Sequence, residues 1–135
     1  MAHGNRALTF ADADGLLHQT PVRTRFCIVD GIVAGEAEGP IYAKPVRCGA
    51  IIAGANPVRV DVTASELVGF DFARIPTMAN AIKPHPLPLL AGQISETILV
   101  DAESTSTRPS PVTGRFKFLP PKGWAGHIEY AHRDK

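Results

Sequence analysis

The C-terminal part of the chain sets positively charged side chains beside aromatic rings. Lysines and arginines interleave with phenylalanine, tryptophan and tyrosine between residues 115 and 133. A single-stranded nucleic acid can stack a base on an exposed ring while a neighbouring cation neutralises the phosphate. One hypothesis is therefore a single-stranded nucleic-acid-binding module resembling an OB barrel, with these contact residues: Arg115, Lys117, Lys122, Trp124, Tyr130 and Arg133.

A second interpretation of the same segment needs no ligand. In an extended strand, Phe116 and Phe118 point to one face, and the flanking cations Arg115 and Lys117 point to the other. The simplest arrangement buries both rings and solvates both cations, which leaves no platform for a base. Trp124 differs because it lies in a loop rich in proline and glycine, where it could anchor a protein partner.

Metal-binding patterns are incomplete in this sequence. Asp12 and Asp14 begin like a calcium-binding loop, but an EF-hand needs an oxygen ligand where Leu16 stands and a glutamate where Arg23 stands. A polar turn is the better interpretation of that segment. The five histidines form no His-x-His or His-x-x-x-His pair, and the two cysteines form no Cys-x-x-Cys pair. We therefore expect no metal and no other cofactor.

Catalytic nucleophiles and acid–base pairs are poorly supported. The sequence contains no Gly-x-Ser-x-Gly turn and no glycine-rich phosphate loop. Cys27 lies among apolar residues and is expected in the core, and a disulfide between Cys27 and Cys48 stays open. Glu36 and Glu38 share a strand face, but they flank turns where solvated acids are common. The sequence therefore favours a non-enzymatic role, with a small β-barrel enzyme or ligand binder, its site dispersed in sequence, as an alternative.

The elements that position these residues are predicted to be strands. Apolar residues mostly recur at every second position, as in residues 22–29 and in Val58–Val62, which sets three valines on one face. Twelve glycines and twelve prolines leave little room for long helices, so only short helical turns are expected, after Thr63 and at Thr77–Ile82. About eight short strands predict an all-β single domain over residues 1–135, an antiparallel β-sandwich or β-barrel.

Three segments of this domain have a distinct composition. Residues 75–92 are rich in proline and predict an extended strap, residues 104–111 predict a polar loop, and residues 112–135 predict a basic, aromatic hairpin. The strap is expected to expose leucines that a monomer would leave uncovered. The predicted protein interface is therefore formed by the following residues of the strap together with the tryptophan: Lys83, Pro84, His85, Pro86, Leu87, Pro88, Leu89, Leu90 and Trp124.

Charge and hydropathy limit the classes of partner and the cellular locations that the sequence predicts. The formal net charge of +1 argues against binding a polyanion or a membrane surface through overall charge. No apolar run approaches the roughly 18 residues that cross a bilayer, and no leader peptide is recognisable, so the expected location is the cytoplasm or a virion. The favoured function is a structural or interaction protein that assembles with copies of itself or with other chains, such as a viral shell, tail or decoration component.

Overall fold

A computed structural model describes residues 2–100, 106–107 and 115–130 of the chain. Helices and strands both occur, and within these ranges short 3-10 helices lie at Phe72–Arg74, Ile94–Glu96 and Lys122–Trp124. The longer elements, in chain order, are α1 (Ala2–Phe10), β1 (Cys27–Gly31), β2 (Ala34–Glu38), β3 (Tyr42–Val46), β4 (Ala50–Gly54), α2 (Pro57–Leu67), α3 (Pro76–Ile82), β5 (Leu99–Val100) and β6 (Ser106–Thr107).

The predicted all-β fold is wrong. The described residues have mixed α/β structure, and their strands form three separate two-stranded antiparallel ladders: β1 with β4, β2 with β3, and β5 with β6. Among these residues there is no β-sandwich and no closed β-barrel. The expected likenesses to an all-β viral structural protein, to an OB barrel and to a β-barrel enzyme all required such a fold, so the structure does not support them.

Helix α2 occupies the segment that was predicted as the clearest strand. Asn56 caps it, since its side-chain oxygen accepts the N–H groups of Val58 and Arg59 at 3.0 and 3.2 Å. Pro57 follows at the first helical position, where its fixed φ favours the helix and its missing N–H costs nothing. Val58, Val60 and Val62 are all buried, because α2 is covered on more than one side. Alternating valines therefore misled the prediction, since burial on several sides hides the helical period.

In the sequence, the β2–β3 hairpin lies between strands β1 and β4. Val29 lies opposite Ile52 in the outer pair, and Glu36 lies opposite Lys44 in the hairpin. Strand β1 does not pair with β2, the strand that follows it in the chain, but with β4. Helix α2 packs on one face of the β1–β4 ladder.

The hydrophobic core lies where α1, α2 and the proline-rich segment meet. It is built from Phe10, Val58, Val62, Leu89 and Leu90, with α3 packed beside it. The expected exposure of the leucines is therefore wrong for Leu89 and Leu90, which are buried in the chain's own core.

Side chains from α1 and from the start of α2 hold the proline-rich segment in place. Arg6 donates from Nε to the carbonyl of Leu87 at 3.1 Å, and Asn56 donates from Nδ2 to the carbonyl of Leu89 at 3.0 Å. Prolines remove backbone donors but leave every carbonyl as an acceptor. Side-chain donors therefore hold in place a segment whose prolines lack the N–H groups that a β-ladder requires.

Residues 115–130 run across the C-terminal end of α2 and do not form the predicted hairpin. The N–H groups of Phe116 and Phe118 donate to the carbonyls of Leu67 and Val68, at 2.9 and 3.1 Å. The last carbonyls of a helix lack partners within it, so this segment satisfies them. Gly69 makes the crossing possible: its φ is +87°, and a Cβ there would lie 2.9 Å from the carbonyl oxygen of Phe116.

No helix among the described residues is long and apolar enough to cross a membrane.

Candidate functional site

The described residues leave more large apolar side chains exposed than buried. Eight hydrophobic residues form the buried set, whereas fifteen large hydrophobic residues are exposed. Single exposed apolar residues are normal on a monomer, but clustered ones mark interaction surfaces. The positions of the exposed residues in the fold therefore locate the candidate site.

The strongest cluster lies on the β1–β4 ladder, on the side away from α2. We call it the outer face and define it as Phe26, Ile28, Asp30, Ile51 and Ala53. Its three large apolar side chains are 69%, 64% and 63% exposed, in the order Phe26, Ile28 and Ile51. Apart from Asp30, the outer face carries no charge.

Strand alternation explains this exposure. Successive side chains of β1 alternate between half-buried and exposed, and those of β4 do the same. The half-buried set, which includes Val29 and Ile52, faces α2 across a small apolar cavity of about 80 Å³. Ile28 and Ile51 consequently point to the side that no described element covers.

Sequence reasoning missed the outer face. The sequence predicted a strand over residues 22–29, and the end of this run, around Cys27, is apolar on both sides. That pattern does mark a strand with two apolar faces, but it does not say whether the chain itself covers the second one. The signal that could have located the site is the combination of Phe26 and Ile28 with Ile51, once β1 and β4 are known to pair.

A histidine–carboxylate pair lies in the loop that follows α1. His18 Nε2 is 2.7 Å from Asp12 Oδ2, and the other carboxylate oxygen accepts the N–H groups of Asp14 and Leu16. The hydrogen bond from His18 and those from the two amides hold the pKa of Asp12 below its usual value. The predicted polar turn is confirmed, and the described residues contain no cluster of three or more histidine, cysteine or acidic side chains suited to a metal.

A second polar cluster joins the end of α2 to the C-terminal segment. The Tyr130 phenol lies near the carboxylates of Glu66 and Asp71. Burial and the negative charges of these two acids raise the pKa of Tyr130 to about 12, and burial together with Asp71 raises the pKa of Glu66. Negative charge at this place is unfavourable for binding a phosphate.

This cluster predicts a loss of stability at alkaline pH. A raised pKa in the folded state means that the Tyr130 contribution is complete below the ordinary value of 10.0 and disappears as the pH rises through about 12. Tyr130→Phe should flatten the fall in the free energy of unfolding between those two values, as measured by urea denaturation. Tyr42→Phe, at the exposed tyrosine, is the control and should keep the wild-type slope. Identical slopes for wild type and Tyr130→Phe would contradict the assignment.

The residues of the nucleic-acid hypothesis are only partly brought together. Arg115 and Lys117 are exposed while Phe116 and Phe118 are half-buried, in an edge-to-face contact with ring centroids 6.4 Å apart. Lys122 is exposed, and its backbone N–H donates to a carboxylate oxygen of Glu38 at 2.7 Å. Arg133 lies outside the described residues.

The residues of the predicted protein interface differ in their burial. Residues 83–86 and Pro88 are exposed, Leu87 is half-buried, and Leu89 and Leu90 are buried. Trp124 is exposed at the end of a 3-10 helix. An interface role for the exposed members stays a prediction. Cys27 and Cys48 are both half-buried and are not joined by a disulfide.

Residues 3–66 match the model of a protein family that is described as "Domain of unknown function (DUF362)". The matched stretch is just under half of the chain, runs from α1 into α2 and includes the whole outer face. No curated protein and no solved structure matches the chain. The chain is thus similar to DUF362 proteins in the part that carries the candidate site, and that family description assigns no activity.

Proposed function

We propose that this chain is a protein-interaction module that assembles with another protein chain, a second copy in the simplest case, through the outer face of β1 and β4. The observation that supports this most is the exposure of Ile28 and Ile51 on one face of a two-stranded ladder, with the exposed Phe26 immediately before β1. Two strands alone are marginally stable in water and gain from an apolar layer on each face. Helix α2 supplies one layer, and the partner supplies the other.

The energetics favour covering the outer face. Burial of apolar surface contributes about 25 cal/mol per Å², so several hundred Å² of aliphatic and aromatic surface is worth many kcal/mol before the costs of association. The single charge on the face, Asp30, already accepts the N–H of Ile32 through its carboxylate at 3.0 Å. Asp30 lies directly opposite Ile51, so a partner that covers Ile51 has to leave this carboxylate in water or donate a hydrogen bond to it.

The charge distribution makes a nucleic-acid partner less favourable. The cations Arg115 and Lys117 are exposed, but the same segment is fixed by carboxylates: Glu36 accepts the N–H of Leu119 at 2.9 Å, and Glu38 accepts that of Lys122. Further along, Tyr130 lies beside two acids. A phosphate backbone that followed this segment would meet these negative charges.

A charge-reversal experiment in sedimentation equilibrium tests the proposal. The wild-type chain is expected to self-associate, and the double variant Ile28→Lys/Ile51→Lys is expected to sediment as a monomer, because two ammonium groups cannot be buried in an apolar contact without partners. Ile41→Lys is the control, since Ile41 is also exposed but lies at the tip of the β2–β3 hairpin, and it should associate like wild type.

Two results would contradict self-assembly through this face. One is a wild-type chain that stays monomeric at about 100 μM, a concentration at which even a weak specific dimer is populated. The other is a double variant that associates as strongly as wild type. Binding of a labelled single-stranded oligonucleotide with a clear salt dependence would favour the nucleic-acid alternative instead.

A further inference from the structure

A cavity of about 250 Å³ lies where α1, α2 and α3 meet. We call it the helix cavity, and most of its lining is apolar. The lining residues are Pro57, Val58, Met78, Ala81 and Leu89, together with the polar residues Asn5, Asp61 and Thr77. At the roughly 30 Å³ that one water molecule occupies in the liquid, this space holds about eight non-hydrogen atoms. The helix cavity is therefore of a size for a small molecule.

Polarity changes from the floor of the helix cavity to its mouth. Val58 and Leu89 are buried members of the hydrophobic core, so they form the floor. Asp61 and Thr77 are exposed, so they lie at the mouth. A ligand that fits this arrangement carries hydrocarbon at its inner end and a polar group at its outer end.

The carboxylate of Asp61 is the charged group of the helix cavity. Among the described residues, no donor contacts this carboxylate and no cation pairs with it. Part of the side chain stays exposed, but the surrounding atoms displace water from it and raise the pKa of Asp61. A cation that donates hydrogen bonds to the carboxylate would offset this loss of hydration.

We propose that the helix cavity binds a short aliphatic primary amine, which enters with its hydrocarbon end first and places its ammonium group against the carboxylate of Asp61. An ammonium group has three donors, and the hydroxyl of Thr77 is a second acceptor at the mouth. No residue of the outer face lines the helix cavity, so the proposal does not depend on assembly through that face.

A lysine side chain of a partner protein suits the helix cavity less well. Lysine would enter with its charged end first and would bring the ammonium group to the buried side chains of Val58 and Leu89. Burial of a charge among apolar groups without a partner is costly. The direction of the polarity change therefore favours a free amine over a lysine side chain.

Other classes of cation fit less well too. A divalent metal ion needs several oxygen ligands, and Asp61 is the only acid in the lining. A quaternary ammonium group is recognised by aromatic rings, and the lining has none. Arg25 donates to the backbone carbonyl of Asn5 at 3.2 Å. The ammonium group is therefore expected beside Asp61 and Thr77, and not beside Asn5.

A titration followed by amide NMR spectra tests the proposal. The probe is n-pentylamine, which is protonated at pH 7, and it is added to the whole chain up to about 10 mM. We expect saturable shifts of amides in α2 and α3. Pentan-1-ol keeps the hydrocarbon tail without the charge, and a lysine blocked at both ends presents its ammonium group first, so each should bind at least tenfold more weakly.

Protein variants locate the binding. Asp61→Asn keeps the size of the side chain, removes its charge and is expected to weaken pentylamine binding at least tenfold, with an unchanged circular dichroism spectrum. Asp14→Asn is the matched control, at an exposed acid outside the helix cavity, and should bind like wild type. Ile28→Lys/Ile51→Lys should also bind like wild type, so a failure of the outer face is distinguishable from a failure of the helix cavity.

Four results would overturn the proposal. They are the absence of saturable shifts with pentylamine, equal affinity for pentan-1-ol, unchanged affinity in Asp61→Asn, and binding of the blocked lysine as tightly as pentylamine. The last of these would assign the helix cavity to a side chain of another protein.

Discussion

Replacing Leu89 with alanine is expected to lower the free energy of unfolding by about 2–5 kcal/mol, which is the usual cost of removing a fully buried leucine. Leu89 is 6% exposed and belongs to the core cluster with Phe10, Val58 and Val62. The core is small, so the loss of one member leaves a cavity that few neighbours can fill. Urea denaturation followed by circular dichroism measures the effect.

Leu16→Ala is the matched control for this prediction. Leu16 is 65% exposed, and substitutions at such positions usually change stability by less than about 0.5 kcal/mol. Equal stabilities for the Leu89 and Leu16 variants would show that the proline-rich segment is not part of the core. That result would restore the earlier expectation of a surface strap that exposes its leucines to a partner.

Replacing Arg59 with alanine is expected to cost about 2–4 kcal/mol of stability, because charge-assisted hydrogen bonds contribute about 1.5–3 kcal/mol each and part of that is recovered from water. The side chain is mostly buried and joins α2 to residues 91–97 by three hydrogen bonds, with Glu96 3.9 Å away. Hydrogen exchange should show faster exchange of the amides in residues 91–97.

Two further variants separate the hydrogen bonds of Arg59 from its charge. Arg59→Lys keeps the charge but lacks the planar fork of donors, so an intermediate loss is expected. Arg47→Ala removes a charge from an exposed position and should leave both stability and exchange unchanged. If Arg59→Ala is as stable as Arg47→Ala, the guanidinium does not hold residues 91–97 against α2.

Parts of the fold follow from local sequence. The helix at Thr77–Ile82 is confirmed as α3, where Pro76 provides a favourable first residue. The strand predicted over residues 22–29 is confirmed in its last part, since β1 begins at Cys27. These elements are short, and the intrinsic preferences of their residues agree with the secondary structure that they adopt.

Other elements could not be predicted because tertiary contacts decide them. The segment around Val58–Val62 has strand-like alternation, yet the Asn56 cap and burial on several sides make it a helix. Residues 115–119 alternate as a strand would, with cations exposed and rings half-buried, but they bond to the end of a helix and not to another strand. The alternation of side chains establishes which of them share a face of the segment. Long-range contacts determine which other element packs against that face.

The candidate site could not be located from the sequence for a related reason. Apolar residues on both sides of β1 indicate two covered faces, and the described residues provide one cover, α2. In the proposed assembly a partner covers the other face, and no pattern within the strand records a partner.

Photo-crosslinking from the outer face tests the central claim most directly. A benzophenone amino acid replaces Ile28 in the otherwise wild-type chain, and irradiated products are mapped by mass spectrometry. The account predicts crosslinked dimers whose second attachment site lies on the outer face of the partner, and little product when the same group replaces Ile41. Irradiation that yields only monomer from position 28, or equal yields from the two positions, would contradict it.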